Sequence, residues 1–133
     1  MATALAAIDK NVLIIDLDPQ GNASTGLGID RNKREISTYD LLVGKNGLAE
    51  TLVQTAVPRL FVSPSTLDLL GVEMEISQLP DRAFRLKNVI NEYNSDDTKF
   101  DFILIESDIQ LVVHVIFKQV DKYVDDRLFH LYL

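Results

Sequence analysis

Residues 12–22, running Val12-Leu13-Ile14-Ile15-Asp16-Leu17-Asp18-Pro19-Gln20-Gly21-Asn22, constrain the fold more than any other stretch of this chain. They join a buried strand to a polar, glycine-bearing turn. Four consecutive aliphatic residues predict a strand covered on both faces, as in a parallel α/β sheet. Two carboxylates, a proline that cannot extend the ladder and a glycine then stop it. In open α/β sheets, ligands bind beyond the carboxyl ends of the strands, where Asp16, Asp18 and Gln20 would project. Acids two residues apart leave a strand on the same side and can share a metal-bound water or polarise a nucleophile. The same spacing also describes an ordinary polar turn.

The rest of the chain reads as helices alternating with strands. Residues 2–8 are rich in Ala and Leu and predict the end of a helix. Residues 11–16 are the first strand, 24–28 a short helical turn and 29–35 a charged loop. Ser37 is placed to cap a helix carrying Tyr39, Leu41 and Leu42, which Gly44-Lys45-Asn46-Gly47 ends. A further short helix is expected over 48–54, and a second strand over 59–63 after Pro58. Thr66 reads as the cap of a helix running to about Gln78. Pro80 opens another, with Phe84, Leu86, Val89 and Ile90 on one face. A polar linker at 94–99 leads to a third strand at 101–105. The run 111–117 is apolar and β-branched and fits either a strand or a buried helix. The fold class is therefore α/β, a partial parallel sheet with flanking helices.

Composition limits the function. With 133 residues, one domain with a real core is expected. The absence of cysteine excludes a disulfide scaffold, a thiolate metal site and a Cys nucleophile. No apolar run approaches the length of a membrane span, and the first residues lack a basic leader, so a cytoplasmic protein is the expectation. A net charge of −7 argues against nonspecific nucleic-acid binding, which needs clustered Lys and Arg. His114 and His130 stand without acid or Cys partners at ligand spacing and read as packing residues.

The string Asp16-Leu17-Asp18-Pro19-Gln20-Gly21-Asn22-Ala23-Ser24 resembles the second nucleotide-site motif of the ParA/Soj-type partitioning ATPases, the deviant-Walker relatives of MinD. The likeness continues through Thr25 to Gly28 and Thr38 to Leu42. It returns at Ser63 to Thr66, Leu69, Gly71 and Glu73, and again at Phe100 to Ile105. It covers residues 1 to about 106, which divides the chain into a ParA-like nucleotide-binding α/β fragment at 1–110 and a divergent tail at 111–133. The resemblance implies a P-loop NTPase-like fold, ATP and Mg²⁺ as cofactors, and ATP-driven dimerisation. It also implies segregation of chromosomal or plasmid DNA with a ParB-type centromere-binding partner. By the same resemblance Asp18 is the acid that positions the attacking water, Asp16 its motif neighbour, and Glu106 the stand-in for a magnesium-associated aspartate.

Two departures qualify that inheritance. No G-x-x-x-x-G-K-[ST] loop occurs; the lone Gly44-Lys45 pair is followed by Asn46, and Tyr39 stands where the first glycine belongs. The family's first strand, its phosphate loop and the lysines of that loop are missing ahead of residue 1, so ATP hydrolysis by this chain is not expected. After the third strand, the family's aspartate and paired prolines are replaced by Glu106-Ser107-Asp108-Ile109. With Asp16 and Asp18, these acids read best as a solvated rim. A truncated or frame-disrupted gene product is the expectation. The alternative function is then a non-enzymatic remnant that at most associates with an intact homologue. Loss of the central first strand predicts marginal stability unless 111–117 takes its place.

Overall fold

The computed structural model describes residues 2–81, 84–94, 100–106 and 129–132. The chain begins with α1 (Ala2–Ala7), β1 (Val12–Asp16), α2 (Asn22–Gly26), a 3₁₀ turn at Arg31–Lys33, and α3 (Thr38–Val43). There follow α4 (Leu48–Thr51), β2 (Val53–Gln54), β3 (Leu60–Ser63), a second 3₁₀ turn at Leu67–Gly71, and α5 (Val72–Ile76). The last elements are α6 (Arg85–Asn94), β4 (Phe102–Glu106) and β5 (Phe129–Tyr132). The strands make one sheet in the order β2-β3-β1-β4-β5. β3, β1, β4 and β5 run parallel, and β2 is antiparallel to β3.

β1 is the central strand, and every one of its residues is buried. Alternation along it feeds two cores. Leu13, Ile15 and the following Leu17 pack with Leu41 and Leu42 of α3, Val72 and Ile76 of α5, Leu86 and Ile90 of α6, and Ile103 and Ile105 of β4. Val12 and Ile14 pack on the other side with Ala6, Ile29, Leu60, Val62 and Leu104. Burial on both faces is why the strand reads as a continuous aliphatic run.

Local signals fix several joints. At the start of α3, the Ser37 N–H and hydroxyl donate to the Asp40 carboxylate (2.9 and 3.3 Å). The helix ends at Gly44, left-handed at φ 84°, where the amides of Gly44 and Lys45 turn back to carbonyls of Leu41 and Asp40.

Three expectations change. The helix foreseen over 48–54 stops at Thr51, because Val53 and Gln54 instead satisfy the free edge of β3, opposite Val62 and Phe61. The helix foreseen from Thr66 to Gln78 is a 3₁₀ turn followed by the short α5, with Gly71 at the join. The strand beside β4 is Phe129–Tyr132, in the apolar run 128–133 that reads from sequence as an exposed end and not as a strand; its parallel pairing occupies the side of β4 away from β1. The segment 111–117, foreseen as the substitute, lies outside the described residues, as do Asp108 and His114.

Candidate functional site

Asp16 and Asp18 come together at the carboxyl end of β1. The strand stops at Asp16, so alternation does not carry Asp18; instead both carboxylates fold onto the turn ahead of them. Asp16 accepts from the Asp18 amide (3.0 Å), the Ser24 amide (2.9 Å) and the Ser24 hydroxyl (2.6 Å). Asp18 accepts from the Gln20 amide (3.0 Å), the Asn22 amide (3.4 Å) and Asn22 Nδ2 (2.9 Å).

These bonds have a local cause. The residue preceding α2 is Gly21, left-handed at φ 66°, and it has no side chain to cap the helix. The two aspartates take over that work, Asp18 on the first residue of α2 and Asp16 on the third. Negative charge at a helix N-terminus is favourable in itself. Asp16 is fully buried and Asp18 is 5% exposed, so the solvated rim foreseen for the carboxylates at the strand ends is corrected for these two acids. Burial is tolerated because the acceptors are satisfied by fixed N–H and O–H groups. Only Asp18 reaches the surface.

Glu106 ends β4, and the register sets it level with Asp16. Its carbonyl accepts the Leu17 amide at 2.7 Å, which fastens the acidic turn to β4. Of the acids at this edge, the sheet register thus sets Asp16 and Glu106 side by side in the backbone. Among the described residues, no group of three or more Asp, Glu or His side chains is placed to hold a metal ion.

Two residues without an assigned role in the sequence support the site. The Ser65 hydroxyl donates to the Asp18 carbonyl (2.5 Å), and the Ser65 amide donates to the Ser24 hydroxyl (3.2 Å). Ser24 is the third residue of α2, and Ser65 follows the parallel neighbour strand β3; small hydroxyl residues at those places were the available signal. Arg34, also buried, joins the same network.

Gly44-Lys45 does not cradle phosphate. The amides of Gly44, Lys45 and Asn46 are spent on carbonyls of α3, and Lys45 Nζ sits 5.3 Å from the centre of the Tyr39 ring. These residues line, with Arg85, Asp81, Glu50 and Glu92, a cleft of about 350 Å³ to which none of the three acids contributes. The Gly44–Asn46 loop thus does not fit the phosphates of a nucleotide, since its amides are already bonded, and the three acids carry the wrong charge for them.

A family model described as an AAA domain matches residues 1–122. The chain is similar to the chromosome partitioning protein ParA of Caulobacter vibrioides (strain NA1000 / CB15N), 42% identical over 106 residues, 80% of this chain and 39% of the relative. It is similar to the sporulation initiation inhibitor protein Soj of Bacillus subtilis (strain 168), 37% identical over 106 residues, 80% of this chain and 41% of the relative. The chain thus spans about two fifths of the length of these curated relatives. Among solved structures it is similar to the septum site-determining protein MinD of Pyrococcus horikoshii, complexed with Mg-ADP. There the TM-score is 0.64 at 26% identity, over 86% of this chain and 44% of that one. The cobyrinic acid a,c-diamide synthase of Mycobacterium smegmatis, with bound ADP and magnesium, shares the fold. It has a TM-score of 0.70 at 22% identity, over 98% of this chain and 63% of that one. No helix among the described residues is long and apolar enough to cross a membrane.

Proposed function

The chain belongs to the ParA/Soj-type partitioning family, and from that premise we propose that it supplies the acidic side of a partitioning ATPase's nucleotide site. The phosphate-binding side is not encoded in these 133 residues. The observation that carries this reading is the pair of buried, amide-held carboxylates at the end of the central parallel strand, where Asp16 stands in register with Glu106. Asp18, which reaches the surface and has an acceptor position left over, is the acid that orients the attacking water in a completed site. Asp16 holds the turn. Glu106 stands in the place of the magnesium-associated aspartate, one methylene longer, which a water-mediated ligand tolerates.

ATP and Mg²⁺ are the cofactors of that completed site. Its partners are a second copy or an intact homologue and a ParB-type centromere-binding protein, in the cytoplasm. DNA contact is assigned outside this acidic chain. Residues 1–110 form the nucleotide-binding portion, and 111–133 are a divergent tail whose strand β5 joins the sheet.

The test is the thermal melt of the chain with and without Mg-ATP. A ligand bound only by the folded state raises the melting temperature, and none is expected to do so here. A Mg²⁺-dependent rise would instead assign these residues a phosphate site of their own. The constructive arm extends the chain ahead of Met1 with a phosphate-loop segment of the kind the family resemblance implies. That chain is expected to gain the Mg-ATP shift, and Asp18→Ala within it to lower hydrolysis about 100-fold while the shift persists. An extended chain that gains no shift leaves the non-enzymatic alternative, which co-purification with an intact homologue checks.

A further inference from the structure

Arg34 carries a guanidinium in a residue only 5% exposed, and among the described residues no carboxylate lies within ion-pair distance of it. Burial lowers its pKa and neighbouring Arg31 adds to that, while Asp16 and Asp30 act in the opposite sense. A guanidinium nevertheless stays charged in proteins, so its retention in a dry place is costly and asks for a reason.

The reason lies in where its N–H groups go. Nε and Nη2 both donate to the Ile29 carbonyl (3.1 and 2.6 Å), Nη2 donates to Thr25 Oγ1 (2.9 Å), and Nη1 donates to the Ser65 carbonyl (3.2 Å). Two of these three acceptors, Ser65 and Thr25, lead to the acidic turn. Ser65 holds the Asp18 carbonyl through its hydroxyl. Its amide holds the Ser24 hydroxyl, which in turn donates to Asp16. Thr25 lies in α2 beside Ser24. Gly21 closes the arrangement from the front, since a Cβ there would run into Arg34 Nη1 and press on Ser65 Oγ.

We propose that Arg34 is the positioning residue of the acidic turn, its planar fork tying α2 and the Ser65 loop together so that the Asp16 and Asp18 carboxylates are held in one arrangement. The inference rests on the reading of Asp18 as the functional acid. A lysine could supply the charge at this position, but not several directed donors in one plane.

The experiment is amide ¹H–¹⁵N spectroscopy with hydrogen exchange on the full chain and on the Arg34→Met, Arg34→Lys and Gly21→Ala variants. Arg34→Met is expected to shift the amides of Asp18, Gln20, Asn22 and Ser24 and to lower their protection at least about tenfold. The amides of Ile14 and Leu104 should hold theirs. Arg34→Lys recovers part of the loss. Gly21→Ala disturbs the same amides with Arg34 intact, and less so in the Arg34→Lys background, where the side-chain head can give way. Turn amides that stay in place in Arg34→Met, or protection lost equally across β1 and β4, would overturn the proposal. Should Arg34→Met fail to fold, the Gly21→Ala and Arg34→Lys pair decides by the same criterion. These readouts need no nucleotide, so a failure of the Mg-ATP reading and a failure of the positioning role show up in different experiments.

Discussion

The two ends of β1 each carry an aspartate, and they are built in opposite ways. Ahead of the strand, Asp9 takes a left-handed backbone (φ 65°) and pairs with Arg59, itself at φ 66°. The ion pair is 3.7 Å long between side chains that are 85% and 47% exposed. At the other end, Asp16 is fully buried and takes three hydrogen bonds from groups fixed by the chain. A carboxylate in water is held by a flexible partner and screened by salt, whereas one bonded to backbone amides is pre-oriented and cannot leave without orphaning them. The difference marks the carboxyl end as the organised end of the sheet. It also shows that the presence of an acid beside a strand says little until its partners are known.

Substitutions at the two ends sharpen this contrast. Asp16→Ala leaves the Asp18 and Ser24 amides without acceptors in a buried place and is expected to cost about 3 kcal/mol. Urea unfolding at unchanged m reads that cost, and a loss below about 1 kcal/mol would remove the distinction between the two ends. Gly21→Ala puts a side chain in the left-handed region and against Arg34, for an expected loss of about 2 kcal/mol by the same measurement.

At the exposed end the sign reverses. Asp9→Gly relieves a left-handed residue, worth about 1 kcal/mol, and gives up an exposed ion pair worth about 0.5 kcal/mol. Net stabilisation of about 0.5 kcal/mol is therefore expected, and destabilisation would mean that this corner is organised after all.

The mildest probe concerns another carboxylate bonded on the surface. Tyr39 donates to Glu75 at 2.5 Å, and this bond, with some desolvation and the Glu75 charge, pushes the phenol up to about 12. Because the folded value lies above the unfolded one, the contribution is complete below pH 10, the ordinary tyrosine value, and disappears as pH rises through about 12. Absorbance titration at alkaline pH is expected to show the late phenol, and Glu75→Gln to bring it earlier.

How much of this was legible in the sequence follows from range. β1, β3 and β4 lie within one residue of where aliphatic runs placed them, because a strand buried on both faces writes its burial into consecutive residues. The Ser37 cap was readable because capping is local, though its pairing with Asp40, three residues on, was added by the structure. β2 and β5 were not legible. A strand of two residues has no period, and what makes it a strand is the open edge of β3. β5 is likewise chosen by β4, across a long stretch of chain. In the site, Asp16 and Asp18 announced themselves, while Ser65 did not. It meets Asp18 from 47 residues away, and because the bond is to a carbonyl, only its own small hydroxyl hinted at the contact. Arg34, 31 residues from Ser65, reads in the sequence as one more charge in a polar loop.

By itself the sequence determined the parallel α/β class, the central strand, the acidic turn at its end, the family, and the lack of a phosphate loop within these residues. All of these rest on local pattern or on motif identity. Only the tertiary structure decided that the two acids are interior caps of α2 instead of a wetted rim, that Glu106 stands level with Asp16, and that a buried guanidinium ties their turn together. Each of those depends on groups distant in sequence meeting where water is excluded, and there the energy of a carboxylate is set by the donors it finds.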